Sequence, residues 1–449
     1  MNFHNDFTER KKRVGKWFAP ARLGIFFHWG FFTGGGLTAP DETSHRPLRY
    51  KNVDEFESAA PEPEVVAENM VAAAKRMGAK YINYTCFHCN GGYGVMFPTK
   101  QKEFMLKTRK DYLGALIEAT HRAGLRLMIY MMMDYHCAVT PDGVYLKDVE
   151  NQEQMRDLLG RLVAEIGERY DKSKIGGFWL DGGFTEPFLD FPSHIKSIFP
   201  DAMVTVNCCT FLEVKDMDFG TLEFVASDPV PAYNRPSGGT SVNQFGVGAA
   251  LDDFIEDIPR CESWWYWDEK NSIMEQNSKN YLEDPDFLLH QMISSLGQCG
   301  QWNYVLGIPV RLDGTIEEKY DPMFSRVEQF LRWGKEAVYN TRGGKYSAIR
   351  PGSFHGGGFC SVTQSLEYPD TCYILITDPP KVEKSGFFLK PEHLYAAFYT
   401  NGKVPRSVQD LRTKSDVPFT MPGGMGIYLE DLDWSDIKVY GVKVLKVKF

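Results

Sequence analysis

The chain has 449 residues, a formal net charge of -9, 43% hydrophobic residues and 24% charged residues. The length exceeds one ordinary domain and suits two, and the composition is that of a folded globular protein. The acidic balance, with no face dense in Lys and Arg, argues against a nucleic-acid partner, and no apolar run reaches about 18 residues, so no membrane partner is expected. The N-terminal stretch "MNFHNDFTERKKRVGKWF" has no apolar segment of the secretory type. The nine cysteines are scattered, which fits reduced thiols and a cytoplasmic location. "CFHC" has C-x-x-C spacing but no second pair to complete a zinc site, so neither a metal nor a cofactor is expected.

In chain order, "RLGIFFHWG" reads as a buried strand ending in polar and aromatic residues. "EVVAENMVAAAKRMG" follows as a helix, with Val66, Met70, Ala73 and Met77 on one face and Gly78 as its stop. "AKYINYTCF" is a strand, "DYLGALIEATHRAG" a helix closed by Gly124, and "LRLMIYMMM" a strand. "NQEQMRDLLGRLVAEIGERY" is a long helix with Met155, Leu159, Leu162 and Ile166 on one side. "IGGFWLDGG", "AMVTVNCC" and "LEFVASDP" read as strands, "DPDFLLHQMISSLGQCG" as a helix and "QWNYVLGIP" as one more strand.

Continuous apolar strands alternating with amphipathic helices imply parallel strands covered by helices. The rhythm over residues 1–341 predicts a (β/α)8-type barrel, since no G-x-G-x-x-G loop follows the first strand as an open doubly wound sheet would favour. Residues 342–449 change texture. Short β-rich runs such as "TCYILITD" and "VYGVKVLKVKF", divided by Gly and Pro turns, predict a C-terminal β-sandwich domain. In a barrel the active site lies at the C-terminal strand ends. That rule selects His28 and Trp29, His88 with Asn90, Asp134 with His136, Trp179 with Asp181, Asn207, Asp228, Glu262 and Asn303. Asp181 stands out because its strand carries one carboxylate into a glycine pair. An Asp there can equally be a helix cap or a turn residue.

These residues carry a resemblance. "WFAPARLGIFFHWG", "FWLDGG", "NYVLGIPVRLDGTI" and "AVYNTRGG" are similar, in order and spacing, to segments of glycoside hydrolase family 29, the retaining α-L-fucosidases. The resemblance extends over nearly the whole chain. It implies a barrel followed by a sandwich, hydrolysis of a terminal sugar through a covalent glycosyl-enzyme, and an oligosaccharide or glycoconjugate as substrate. "FWLDGG" matches the family's nucleophile strand, which makes Asp181 the nucleophile. Trp179, two residues earlier, shares its side of the strand and offers an aromatic wall to a 6-deoxy sugar. Glu262 in "RCESWWYWDE" is the nearest match to the acid/base, with Glu223, Glu269 and Glu275 as alternatives.

The resemblance makes His28 a sugar ligand and aligns "FHCNGG" with Lys-His-His-Asp-Gly-Phe, so that His88 matches one of a histidine pair. His28, Trp29, His88, Asn90, Tyr130, Trp179 and Trp265 form the expected substrate-binding set. Departures from the pattern include Cys89 in place of the second histidine, Asn90 in place of the aspartate and Cys209 where an arginine is common, and "FFTGGGLTAPDE" lacks the family's Glu-Trp-Tyr stretch. A thiol grips a hydroxyl poorly, so the departures bear on which sugar is bound. A related glycosidase for another terminal sugar and a carbohydrate-binding protein that has lost catalysis are the alternative readings.

Overall fold

The structure is a computed structural model. It describes residues 7–34, 49–50, 52–88, 94–133, 139–140, 143–144, 146–182, 186–207, 214–221, 255–261, 284–297, 301–344, 347–354, 358–379, 395–424, 426–430 and 432–449. Its first unit is built on the parallel strands β1 (Leu23–Phe27), β2 (Tyr81–His88), β3 (Arg126–Met132), β4 (Ile175–Asp181), β5 (Met203–Val206), β6 (Gly220–Thr221), β7 (Ile255–Cys261) and β8 (Gln301–Gly307). Their order in the sheet is β5-β4-β3-β2-β1-β8-β7-β6. A parallel bridge between Thr205 and Phe219 joins β5 to the chain entering β6. The Thr205 hydroxyl donates to the Phe219 carbonyl at 2.7 Å beside it. The eight strands thus close into a ring, as predicted.

Strong local signals place the helices. In α3 (Pro63–Met77), after α1 (Phe7–Ala21) and α2 (Val53–Ala59), Pro63 opens the helix and Gly78 ends it in the left-handed region at φ 74°. In α5 (Gln152–Arg169), which follows α4 (Tyr112–Arg122), the Asn151 side chain accepts from the Gln154 N–H at 3.0 Å. Its face of Met155, Leu158, Leu159, Leu162, Val163 and Ile166 is buried. That apolar face outweighs the cap: each such side chain contributes about 1.5–3 kcal/mol, against about 1 for the cap. Helices α6 (Phe191–Ile198), α7 (Phe287–Leu296) and α8 (Asp321–Gly334) continue the outer layer.

The register sets which side chains face inward. Phe26, Asn83, Met128, Gly177 and Met203 are register partners across β1 to β5, and Phe26 lies against Trp179 across the interior. Side chains alternate along a strand, so His28, Tyr130, Trp179 and Asp181 share that inner side, nearer the C-terminal ends. Space inside is tight. A Cβ at Gly24 would lie 2.4 Å from the Tyr81 ring, and one at Gly177 would lie 2.1 Å from the Met203 carbonyl oxygen. On β2 the pairing shifts between Thr85 and Phe87. This extra residue turns His88 rather than Phe87 to the inner side.

The second unit is antiparallel, as expected for the sandwich. Its main sheet has the order β9 (Thr341–Gly343), β11 (Gly358–Ser365), β12 (Thr371–Asp378), β16 (Lys443–Lys448) and β14 (Ser407–Asp410), with β10 (Gly352–Phe354) beside β11. Strands β13 (Tyr395–Tyr399) and β15 (Gly426–Glu430) form a separate pair. Ile374, Ile376, Phe398, Ile427, Leu445 and Val447 are part of its core. Tyr373, Leu375, Leu411, Val442 and Val444 instead join the barrel's apolar cluster, so the sandwich is packed onto the barrel's helical layer. The helix α9 (Ser435–Tyr440) precedes the last strand. Among the described residues no helix is long and apolar enough to cross a membrane, and no group of three or more His, Cys, Asp or Glu could hold a metal ion.

Candidate active site

Asp181 is the last residue of β4 and is half-buried. Its Oδ1 accepts from the Gly182 N–H at 2.8 Å and from Asn207 Nδ2 at 2.9 Å, and its Oδ2 accepts from the Tyr130 hydroxyl at 2.5 Å. Three donors suit the acceptor-only character of an ionised carboxylate. The sharp turn after β4 needs φ 93° at Gly182, a backbone conformation that strains any residue with a Cβ. "DGG" is therefore a device that ends the strand and aims one N–H back at the carboxylate. The sequence left open whether Asp181 is a cap or a site residue; its Oδ1 takes the next N–H, as in a turn, while Oδ2 meets a side chain from another strand.

An aromatic floor surrounds it. The Phe26 ring stacks on His28 at 4.6 Å and tilts against Tyr130 at 5.5 Å and Trp179 at 5.3 Å. His88 stacks on Tyr130 at 5.2 Å with 9° between the planes, and the two imidazoles meet edge to face at 5.5 Å. Burial holds His28 well below the usual imidazole range, with His88 acting in the same direction. Burial also lowers His88, to about 4, although the charge of Asp181 pulls the other way. Both rings are therefore neutral at pH 7. Each then carries one donor and one acceptor nitrogen, the pair of functions a sugar hydroxyl can use.

This state has a thermodynamic consequence. Folded His88 binds its proton at about pH 4, and the unfolded residue at about 6.5. Between those values the unfolded chain holds the extra proton, so stability falls as pH drops from about 6.5 to about 4 and does not depend on His88 above that window. The contribution is on the order of 3 kcal/mol. Urea unfolding at pH 7.5 and 4.5 measures it. His88→Asn is expected to lose that share of the pH dependence, and an unchanged difference would place the source elsewhere.

Not every sequence-selected residue lies in this group. His28, His88, Tyr130, Trp179, Asp181 and Asn207 are brought together. Trp29 is not: it follows inward-facing His28 and points to the outer side, where its ring meets Phe56 and Tyr112 and its Nε1 donates to the Leu312 carbonyl at 3.1 Å. Asn303 also departs from expectation. It sits near the start of β8, and its Nδ2 donates to the Phe18 carbonyl at 2.9 Å, at the opposite end of the barrel from Asp181. Asn90, Asp134, His136, Asp228, Glu262 and Trp265 lie outside the described residues, as do Cys89, Cys209, Glu223, Glu269 and Glu275. Glu262 directly follows Cys261 of β7 in the chain. That strand runs parallel to β8, so its C-terminal end opens on the same face as Asp181. Phe26 was not anticipated; its place two residues before His28 was the available signal.

A closed (β/α)8-like barrel with a carboxylate, two neutral imidazoles and an aromatic floor at its C-terminal face, followed by a β-sandwich, fits the glycosidase class that the sequence resemblance implies. The family model "Alpha-L-fucosidase" matches residues 2–336, and the chain belongs to that family. Solved structures agree on the fold at low identity. The α-fucosidase of Thermotoga maritima in complex with a mechanism-based inhibitor gives a TM-score of 0.69 at 16% identity, covering 99% of each chain. Alpha-L-fucosidase isoenzyme 1 from Paenibacillus thiaminolyticus gives 0.67 at 14%, covering 98% of this chain and 99% of that one. A Bacteroides thetaiotaomicron α-L-fucosidase of glycoside hydrolase family 29, trapped as a covalent intermediate with 2-fluoro-fucosyl fluoride, gives 0.64 at 15%, covering 99% and 96%. No curated protein sequence matches the chain.

Proposed function

We propose that the chain is an exo-acting retaining α-L-fucosidase that releases terminal fucose from oligosaccharides or glycoconjugates, with Asp181 as nucleophile and Glu262 as acid/base. The observation that carries this reading is Asp181 itself, a half-buried carboxylate at a barrel strand end with donors on both oxygens. Retaining hydrolysis uses two carboxyl groups about 5 Å apart. One attacks the anomeric carbon, and the other protonates the departing oxygen and then deprotonates water. The neutral imidazoles of His28 and His88 bind hydroxyls. Phe26 and Trp179 supply an apolar surface suited to a methyl-bearing sugar. A reducing compartment is part of the proposal, supported by the buried thiols Cys86, Cys360 and Cys372.

A panel of aryl glycosides and fucosylated oligosaccharides tests the sugar. Each lost hydrogen bond to a sugar hydroxyl costs about 1–3 kcal/mol. Cys89 and Cys209 in place of two gripping residues therefore weaken binding of a simple aryl fucoside by roughly ten- to a thousand-fold. We expect kcat/KM to favour the oligosaccharides, with Trp264, Trp265 and Trp267 stacking on a second sugar. A better aryl fucoside, together with no change in Trp265→Ala, removes that account. Cleavage of another terminal sugar alone keeps the glycosidase and removes fucose.

A further inference from the structure

We propose that Tyr130 is a catalytic residue of the second half-reaction, donating its hydroxyl proton in a hydrogen bond to Asp181 Oδ2 as that oxygen leaves the anomeric carbon. This rests on Asp181 being the nucleophile of a retaining glycosidase. The basis is the unequal treatment of the two carboxylate oxygens.

Oδ1 is held by two fixed donors, the Gly182 N–H and Asn207 Nδ2. The Asn207 backbone N–H in turn donates to the Leu180 carbonyl at 2.6 Å, tying Asn207 to the strand that carries Asp181. Oδ2 accepts, among the described residues, only from the Tyr130 hydroxyl. A peptide N–H cannot turn away from its acceptor, whereas a hydroxyl hydrogen rotates about its C–O bond. Oδ1 is thus the spectator oxygen. Oδ2 is the one able to exchange a hydrogen bond for a covalent bond. The Tyr130 ring cannot follow the reaction. It is 1% exposed, in mid-strand, and packed between His88, His28 and Phe26.

In the first step Oδ2 bonds to the anomeric carbon, the bond to the leaving oxygen breaks, and that oxygen takes its electron pair and the proton of the acid/base. Charge departs from Oδ2, so Tyr130 gives this step no help. In the second step the oxygen of water bonds to the anomeric carbon, its proton passes to the acid/base carboxylate, and the bond to Oδ2 breaks with its electron pair returning to Oδ2. Negative charge then develops 2.5 Å from the Tyr130 oxygen. One preorganised donor at a developing charge is worth about 10²–10³-fold in rate.

The test is pre-steady-state kinetics of Tyr130→Phe on an aryl α-L-fucoside with a good leaving group. Phe keeps the packed ring and removes only the hydroxyl. We expect a burst of one aryl alcohol per active site, then a steady-state kcat about 10²-fold below the unaltered enzyme. KM falls with it, kcat/KM stays near normal, and mass spectrometry finds the glycosyl-enzyme on Asp181. Asn207→Ala, which removes a spectator-oxygen donor, is expected to lower kcat/KM without a burst. A Tyr130→Phe enzyme with raised KM and unchanged kcat makes Tyr130 a sugar ligand only and overturns the proposal. So does a loss in kcat/KM with no burst, which makes it a positioning residue like Asn207. The unaltered enzyme is assayed first on the glycoside panel, with the product anomer read by NMR. Retention on another sugar alone removes fucose from the function, and the burst is then read on that sugar. Inversion, or no turnover of any glycoside, overturns this proposal together with the nucleophile assignment.

Discussion

Asp181→Asn is expected to lower kcat on an aryl α-L-fucoside by at least about 10⁴-fold, the scale seen when a covalent nucleophile is removed. An amide has the shape of the carboxylate but cannot form the glycosyl-enzyme. The fold is expected to persist. Asp181 is half-buried at a strand end, and its neighbours His28 and His88 are neutral, so removing the charge orphans no buried cation. A thermal melt within a few degrees of the unaltered protein checks this. In the unaltered enzyme, 2-fluoro-fucosyl fluoride is expected to label the peptide containing "FWLDGG". Near-normal turnover in Asp181→Asn, or a label on another peptide, would move the nucleophile.

The second large effect is expected at Glu262. If Glu262 protonates the departing oxygen, Glu262→Ala loses most rate on substrates with poor leaving groups, by about 10²–10⁴-fold, and least on activated aryl fucosides. Added azide then restores turnover on the activated substrates, because it attacks the glycosyl-enzyme without needing a base. The product is a fucosyl azide that NMR identifies. Equal losses on all substrates, with no azide product, would transfer the role to Glu269, Glu275 or Glu223. The reason to begin with Glu262 is its place in the chain, one residue beyond a barrel strand whose C-terminal end opens on the face of Asp181.

Much of the barrel is written locally. The helix over Gln152–Arg169 follows from the cap Asn151 and an apolar stripe, and the ends of two other helices follow from Gly78 and Gly124, both at positive φ. The strand ending at Asp181 follows from an apolar run broken by glycines. Strand β7 was not legible, because Ile255–Cys261 reads "IEDIPRC", with charges and a proline where a buried strand is sought. Helix α1 was also passed over: "FTERKKRVGKWFAPA" is rich in charge and carries Gly15 and Pro20, so its pattern is weak.

The site divides along the same line. A carboxylate at a strand end, with a tryptophan two residues before it, can be read from alternation alone, and so could the outward turn of Trp29 beside inward His28. Tyr130 and Asn207 stand among the expected site residues, but their pairing with Asp181 could not be read. Tyr130 is 51 residues from it and Asn207 26, and no local spacing encodes which strands lie side by side. His88 faces inward because of a pairing shift on β2, and the neutrality of both histidines comes from burial by side chains on several strands. The sequence by itself determined most of the elements and the carboxylate at the end of β4, because periodicity and turn chemistry act over a few residues. Closure of the ring decided the rest, because hydrogen-bond partners, register and desolvation depend on residues that only the closed barrel brings together.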